Sequence, residues 1–303
     1  QPNYLYISHL HGDHLDERWL VDNISPQTPV LLPDYPTQEL ERRLRHLGFT
    51  HFIATSDGIA CDLGDDLSIA IHVETSITDG PAGDSALVVS DGVHRIVNQN
   101  DCRTSDLGAL LAHGPIDLHF LQYSGAIWYP MVYDEPAQRM RELVDLKVES
   151  QFARAMRYVE ALNARAIVPS AGPPCFLDPE LFAFNDIAKD SFSIFPDQTK
   201  FIAQLNAVQR HGIINIPGTC ITLGDDIKVL HPIAEADVQA IFFDKENYLR
   251  NYQSDYLVWL EDMKTTWSQE SPDLLTTLKL WWEPLLAMAP ALRRGVGAAC
   301  LLR

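Results

Sequence analysis

Four side chains of types that bind metal ions lie between positions 9 and 14, in the stretch "HLHGDH": His9, His11, Asp13 and His14. Neutral imidazole and carboxylate groups suit Zn²⁺ or Fe²⁺ better than Ca²⁺ or Mg²⁺. A dication held by such groups turns bound water into a nucleophile, or binds O₂ if it is iron. The stretch therefore predicts an iron or zinc site, with Asp13 as a catalytic candidate as well as a ligand.

This motif directly follows the apolar run "NYLYI", which predicts a buried strand. The motif then lies in a loop at the carboxyl end of that strand. His9 and His11 alternate there and can both face one ion, and Gly12 allows a tight turn. Asp13 and His14 face a second position, so the spacing predicts one ion and leaves room for two.

Apolar runs and turn signals alternate over the first 130 residues, which predicts strands interleaved with helices and an α/β fold. Residues 134–163 have the spacing of a long amphipathic helix. After residue 235 the pattern is helical and rich in Trp and Tyr. We therefore expect a metal-binding domain over residues 1–235 and a helical C-terminal extension over residues 236–303.

The composition restricts the classes of partner. A net charge of -18 and a pI near 4.8 disfavour nucleic acid and anionic membrane surfaces as partners. No apolar run reaches the roughly 18 residues that a membrane span needs. Five scattered cysteines in a chain of this size indicate reduced thiols and a cytoplasmic location. Because the chain starts on a predicted strand and ends in "ACLLR", we expect a piece of a longer protein.

Aromatic side chains with polar tips flank a Gly-Ala turn in "YSGAIWYP", just after a predicted strand. Tyr123, Trp128 and Tyr129 suit the wall of a pocket for a sugar, a base or another ring of a small-molecule substrate. They suit the edge of an ordinary core equally well. We take them as substrate-binding candidates and leave both interpretations open.

The His-x-His-x-Asp-His pattern resembles the signature of the metallo-β-lactamase superfamily. This resemblance implies an αββα sandwich with one or two metal ions between the sheets. It also implies that Asp101, at the end of "HRIVNQND", is a further ligand. The positions of the later metal-binding histidines match less well. Ser170 stands where a histidine is expected, and two roles stay open for His72, that of a ligand and that of a histidine packed in the sheet.

Ser170 is a poor metal ligand, so this departure favours a single ion held by two histidines and a carboxylate over a two-zinc hydrolytic site. By analogy with the superfamily, the rigid loop "PSAGPP" lies on the same side as the metal. We therefore expect Ser170 to line the pocket.

Several segments together resemble one branch of the superfamily, the CMP-N-acetylneuraminate hydroxylase family and its bacterial relatives. They are "NYLYISHLHGDHL", "GDSALVVSDGVHRIVNQNDC", "LQYSGAIWYPMVY", "ARAIVPSAGPPCFLDPELF" and "IPGTCITLGD". The resemblance implies a Rieske [2Fe–2S] domain or another electron-donor protein as a partner. Because this sequence has no Cys-x-His pair, we expect that cluster on a Rieske domain absent from these residues, together with the first strands of the sandwich.

The leading hypothesis is the metal-binding part of a Rieske-coupled, monooxygenase-like oxidoreductase that hydroxylates a sugar-nucleotide-like or other small substrate. One alternative is a metal-dependent hydrolase of a phosphoester, lactone or amide. Another is a degenerate site on a fold kept for binding alone.

Overall fold

The computed structural model describes residues 1–76, 82–125, 127–170, 172, 175–187, 192–267 and 273–288. Parts of three stretches considered above lie outside these residues. They are Ala126 of "YSGAIWYP", residues 171, 173 and 174 of "PSAGPP", and residues 268–272 and 289–303 of the C-terminal extension.

A small parallel sheet opens the fold, with its three strands in the order β1-β2-β3. Two helices cover its outer face through buried leucines, with Leu20 on the first helix and Leu40 and Leu44 on the second. The Asp16 side chain caps the first helix by accepting a hydrogen bond from the backbone N–H of Trp19. In chain order these elements are β1 Leu5–Tyr6, α1 Glu17–Asn23, β2 Val30–Leu32, α2 Glu39–His46 and β3 Phe52–Ala54.

A second sheet has six strands in the order β4-β5-β6-β7-β8-β9. The pairs from β4 to β7 are antiparallel, and β7, β8 and β9 run parallel, so the sheet is mixed. Its strands are β4 Cys61–Gly64, β5 Leu67–Glu74, β6 Asp84–Ser90, β7 Arg95–Asn98, β8 Leu118–Gln122 and β9 Ala166–Ser170.

The two sheets pack face to face, with Leu31 of the small sheet against Ile69 and Ile71 of the large one. The opposite face of the large sheet is covered by helices α3 Leu107–Leu111, α4 Ala137–Leu162 and α5 Gln198–Ala207. Helices, two sheets and helices thus form four layers, which confirms the αββα sandwich. The burial of apolar side chains between each pair of layers supplies the main driving force for the fold.

The remaining described elements follow the sandwich. The antiparallel hairpin of β10 and β11 places Ile221 against the large sheet. The 3₁₀-helix contributes Phe184 to a cluster around Trp128. These elements are the 3₁₀-helix Phe182–Asn185, β10 Cys220–Thr222, β11 Lys228–Leu230, α6 Glu235–Phe243, α7 Lys245–Thr265 and α8 Leu274–Met288.

The chain divides into two compact units, Gln1–Tyr252 and Gln253–Arg303. The first unit extends past the predicted boundary at residue 235, because Lys245 forms an ion pair with Asp197 at 2.8 Å and Arg250 stacks on the ring of Phe182. The assignment of separate domains to residues 1–235 and 236–303 stays a prediction. In the described part of the chain, none of the helices is long and apolar enough to cross a membrane.

Candidate metal centre

The metal-binding motif lies in the loop between β1 and α1, and Asp101 lies in the loop that follows β7. The antiparallel register of β6 and β7 pairs Leu87 with Asn98, so the first residue of β6, Asp84, comes to the same edge as the end of β7. Residues far apart in sequence therefore meet at one edge of the sandwich. This placement follows from strand direction: β6 and β7 are antiparallel neighbours, so β6 starts at the edge where β7 ends.

His9, His11 and Asp101 form one group whose candidate ligand atoms lie within 4.8 Å of one another. The Nε2 atom of His9 is 2.8 Å from the Nδ1 atom of His11. His9 is buried and His11 is exposed, so the group spans from the interior to the surface. Two imidazole nitrogens and a carboxylate that converge in this way are a donor set for iron or zinc.

A second group consists of Asp13, His14 and Asp101, and it shares the Asp101 carboxylate with the first. The Nε2 atom of His14 lies 3.1 Å from Oδ1 of Asp101 and 3.6 Å from Oδ2 of Asp13. Close contact with the Asp101 carboxylate raises the pKa of His14, although burial lowers it. Burial raises the pKa of Asp101, but the adjacent histidines outweigh it, so that its net shift is downward.

Asp84 contacts the His9 ring at the nitrogen that does not face His11, and the sequence pattern did not identify this residue. Its Oδ1 atom is 3.2 Å from the Nδ1 atom of His9, and both side chains are almost fully buried. The Ser8 hydroxyl is 3.1 Å from the same nitrogen. With Nδ1 occupied by these groups, Nε2 of His9 is directed toward His11. A carboxylate–histidine pair of this kind is the usual arrangement behind a metal-binding imidazole.

A hydroxyl network fixes the backbone of the motif to the large sheet. The Ser85 hydroxyl donates a hydrogen bond to the Ser8 carbonyl at 2.8 Å, and the Tyr6 hydroxyl lies 2.8 Å from the Ser85 hydroxyl. The Tyr35 hydroxyl contacts both the Ser8 carbonyl and the Ser85 hydroxyl. Tyr6 and Tyr35 belong to the part of the fold built around the small sheet, so the network joins the two sheets beside the candidate site.

A cavity of about 640 Å³ opens beside the second group. Trp128 lies against Phe176 and Phe195 and forms an apolar wall with them, while polar side chains and the two carboxylates occupy the rest. This size is in the range of sites for small molecules. The lining residues are Asp13, His14, Asn100, Asp101, Gln122, Ser124, Gly125, Trp128, Gly172, Phe176 and Phe195.

Of the predicted substrate-binding residues, Trp128 lines this cavity. Tyr123 does not, because its ring is fully buried and stacks on Phe201 in the core beneath the helices. Tyr129 is exposed, lies edge-to-face with Tyr133 and is not among the lining residues. Ser170 stands opposite Gln122 in the register of β8 and β9 but is itself outside the lining.

His72 points away from the candidate ligands. Its Nε2 atom lies 2.8 Å from Nε2 of His113, and its neighbour on the same face of β5, Ala70, packs in the helix-side core. Of the two interpretations left open for His72, the structure matches the sheet-packed histidine. In the described residues, no other histidine joins the two groups of candidate ligands.

The donor set fits iron or zinc. The Oδ1 atom of Asp101 is buried and has no hydrogen-bond partner in the described residues, because its contact with His14 lacks hydrogen-bond geometry. A buried carboxylate oxygen without a donor is costly, and a cation would satisfy it. Because Asp101 belongs to both groups, the same carboxylate can serve one ion or bridge two.

Similarity to known proteins agrees with this fold. No family model matches the sequence. The chain is 41% identical to a protein of Mycobacterium tuberculosis that carries the provisional name Rieske 2Fe-2S iron-sulfur protein, over 97% of this chain and 59% of the relative. A similarly named protein of Mycolicibacterium smegmatis is 40% identical over 99% of this chain and 60% of its own length. These names confirm the resemblance to a Rieske-linked branch, although the chain spans about three fifths of each relative.

Solved structures with a similar fold include CmlA, a diiron beta-hydroxylase from Streptomyces venezuelae. It is 17% identical, with a TM-score of 0.47 that covers 76% of this chain and 45% of CmlA. The metallo-beta-lactamase fold protein YhfI from Bacillus subtilis is 15% identical, with a TM-score of 0.47 that covers 75% of this chain and 77% of YhfI. Likeness at this level carries no information on activity.

Proposed function

We propose that this chain is the metal-binding, substrate-handling part of a Rieske-coupled oxidoreductase of the monooxygenase type. The observation that carries the proposal is the pair of His/carboxylate groups that meet at Asp101 beside a small-molecule cavity. The Rieske names of relatives 40–41% identical to this chain support a redox role. They also support a Rieske centre, in the same protein or a partner, as the electron donor.

His9, His11 and Asp101 are the ligands we assign to the first ion, and Asp13 and His14 would join Asp101 for a second. Iron held there would supply O₂ activation: one oxygen atom would enter a C–H bond of the substrate and the other would leave as water, with two electrons delivered one at a time by the Rieske centre and two protons. The histidines must be neutral to bind an ion, so binding competes with protons at His14, whose pKa is raised.

The protein side chains orient the ligands and the substrate. Asp84 holds the His9 ring with Nε2 toward the site. The apolar wall at Trp128 excludes water from one side of the cavity. Asp13 has a side chain that is 77% exposed and lies at the cavity lining, where its carboxylate can accept or release a proton.

A metal-dependent hydrolase is the second candidate, because two donor groups that share one carboxylate can also hold two ions for hydrolysis. Ions held by these two groups would then activate water to hydrolyse a phosphoester, lactone or amide. The two candidates differ in what they consume. The oxidoreductase needs O₂ and a reductant, whereas the hydrolase needs neither.

The test is O₂ consumption by the purified full-length protein loaded with iron, with and without a chemical reductant of Rieske centres. We expect reductant-dependent O₂ uptake that disappears in His11→Ala and persists in His51→Ala, an exposed histidine remote from the motif. Anaerobic turnover of a phosphoester or lactone by the zinc-loaded protein, without O₂ uptake by the iron-loaded one, would favour the hydrolase instead.

A further inference from the structure

A cluster of basic side chains lies next to the candidate metal centre in this strongly acidic chain. Arg103 follows Asp101 in the same loop, and Lys147, Arg154 and Arg157 lie on α4. The charges of Arg103, Arg154 and Arg157 all lower the pKa of Tyr158. Arg103 and Arg154 also lower the pKa of Lys147, so the four cations are close together. The chain has 23 basic and 41 acidic side chains, which makes four adjacent cations unexpected.

None of these four cations has a carboxylate partner among the residues that the structure describes. Many of the other basic side chains in the same part of the chain lie within 4 Å of an acidic group. Such paired cations include Arg42, Arg43, Arg45, Arg139, Arg165, Lys200 and Lys245. The four cations of the cluster therefore repel one another, and no carboxylate of the described residues offsets this repulsion.

Arg154 is the most informative member of the cluster. Its Nη2 atom is buried and has no hydrogen-bond partner within the described ranges. Burial and the charges of Arg103 and Arg157 both lower its pKa. An unpartnered guanidinium nitrogen is costly to bury, because guanidinium groups keep their charge in proteins. An oxyanion bound at this position would remove the cost.

The cluster adjoins the candidate metal site through shared residues. Arg103, Arg154 and Tyr158 line a narrow cleft whose other walls include Asn100, Asp101 and Gln122. The last three residues also line the large cavity. These three residues thus form a wall between the large cavity and the cations, and the cleft itself has no room for a water molecule. An anion therefore reaches the cluster from its solvent side, where Arg157 is exposed.

We propose that Arg103, Lys147, Arg154 and Arg157 bind a small oxyanion, a phosphate or a carboxylate group, on the solvent side of the cluster. The planar fork of arginine binds such groups with two parallel hydrogen bonds. A small anion fits better than an acidic protein surface, because Arg157 is exposed whereas Arg103, Lys147 and Arg154 are partly buried. This inference goes beyond the proposed function and does not depend on it.

The experiment is a calorimetric titration of inorganic phosphate, and separately of acetate, into the full-length protein at low ionic strength. Because charge-assisted hydrogen bonds are strong, we expect Arg154→Gln and Lys147→Gln to weaken anion binding at least about tenfold. Arg139→Gln is the matched control on the same helix, because Arg139 pairs with Glu142 at 3.2 Å, and it should bind as the wild type does. His11→Ala separates anion binding by the cluster from binding by a metal ion, and it should retain the affinity.

A second readout guards against variants that bind poorly because they unfold. Removal of one cation relieves repulsion, so Lys147→Gln should melt at the same or a higher temperature than the wild type in anion-free buffer, and phosphate should stabilise it less. Equal phosphate affinity in wild type, Arg154→Gln and Lys147→Gln would overturn the proposal. So would a wild-type protein that binds polyglutamate but neither phosphate nor acetate.

Failure of the proposed function remains distinguishable from failure of this inference. A protein that takes up no iron and consumes no O₂ but binds phosphate through Arg154 would retain the anion site and lose the redox role. A protein with iron-dependent O₂ uptake and no phosphate or acetate binding would show the reverse.

Discussion

At the scale of single residues, the candidate centre depends on groups behind the ligands as much as on the ligands. Asp84 and Ser8 occupy Nδ1 of His9 and leave Nε2 for the site. The motif itself was predictable, because His9, His11, Asp13 and His14 are close in sequence. Asp84 was not, because an acid between a glycine and an apolar strand is also a common turn residue, and its partner is 75 positions away in the chain.

Replacement of Asp84 by asparagine should weaken metal binding by about 10- to 100-fold, the usual effect of losing the carboxylate behind a metal-binding histidine. The measurement is competition with a chelator of known affinity. Asp22→Asn, an exposed acid on α1, is the control and should leave the affinity unchanged. An unchanged metal affinity in Asp84→Asn would show that Asp84 does not support metal binding through His9.

Gly83 makes room for Tyr35 beside the site. A Cβ atom added to Gly83 would lie 2.5 Å from Cε1 of Tyr35, at a backbone φ of +67°. Gly64 has a similar φ of +86° with nothing within 4 Å of its Cβ position. We expect Gly64→Ala to cost about 1–2 kcal/mol from backbone strain, and Gly83→Ala to cost about 1–3 kcal/mol more from the clash.

Chemical denaturation of the two alanine variants measures this difference in the free energy of unfolding. Displacement of the Tyr35 ring should also disturb its contacts with Ser8 and Ser85, so Gly83→Ala should bind metal more weakly than Gly64→Ala. Equal stability and equal metal affinity of the two variants would contradict the packing described for Tyr35.

At the scale of secondary-structure elements, strand alternation decides which predicted residues reach the cavity. Gln122 and Tyr123 are consecutive at the end of β8, so they point to opposite faces. Gln122 lines the cavity, whereas Tyr123 joins Leu121 in the core under α4 and α5. The sequence identified an aromatic stretch after a strand, but the face of each residue depends on which layer covers that strand, and local pattern does not carry this information.

His119 lies in β8 between β7 and β9 and is fully buried. Its Nε2 atom is 2.9 Å from Oε1 of Gln99, and burial lowers the pKa of His119 to about 3. In the unfolded chain the pKa would be about 6.5. The unfolded state therefore binds more protons below pH 6.5, and stability is lost as the pH falls from about 6.5 toward 3.

We expect His119→Gln to flatten this pH dependence by up to about 1.4 kcal/mol per pH unit, the contribution of one proton. Urea denaturation between pH 4.5 and 7.5 measures the slope. His46→Gln, an exposed histidine on α2, should keep the wild-type slope. A wild-type slope in His119→Gln would mean that another group dominates the acid response.

At the scale of the whole molecule, the candidate ligands come from loops attached to both sheets. His9 and His11 follow a strand of the small sheet, whereas Asp84 and Asp101 belong to the large one. The strand pattern predicted an α/β fold, and the resemblance carried by the motif implied the αββα sandwich. It did not predict the basic cluster beside the site, because Arg103 and the cations of α4 are separated in sequence and become neighbours only in the fold.

Metal that joins the two sheets should stabilise the molecule. At a free metal concentration about 100 times the Kd, binding contributes about 2.7 kcal/mol. For a protein of this size that corresponds to an increase in Tm of about 4 °C. A chelator should remove this increase in the wild type and have no effect on His11→Ala. Equal melting of chelated and metal-loaded wild type would argue against a site between the sheets.

The most direct test of the central claim is the metal content of the full-length protein, by elemental analysis with Mössbauer spectroscopy of any iron. We predict at least one iron per chain at the motif site, beyond the iron of any [2Fe–2S] centre. It should be lost in His11→Ala and kept in His51→Ala. Stoichiometric zinc at this site, with no iron other than that of a cluster, would contradict the proposed oxidoreductase.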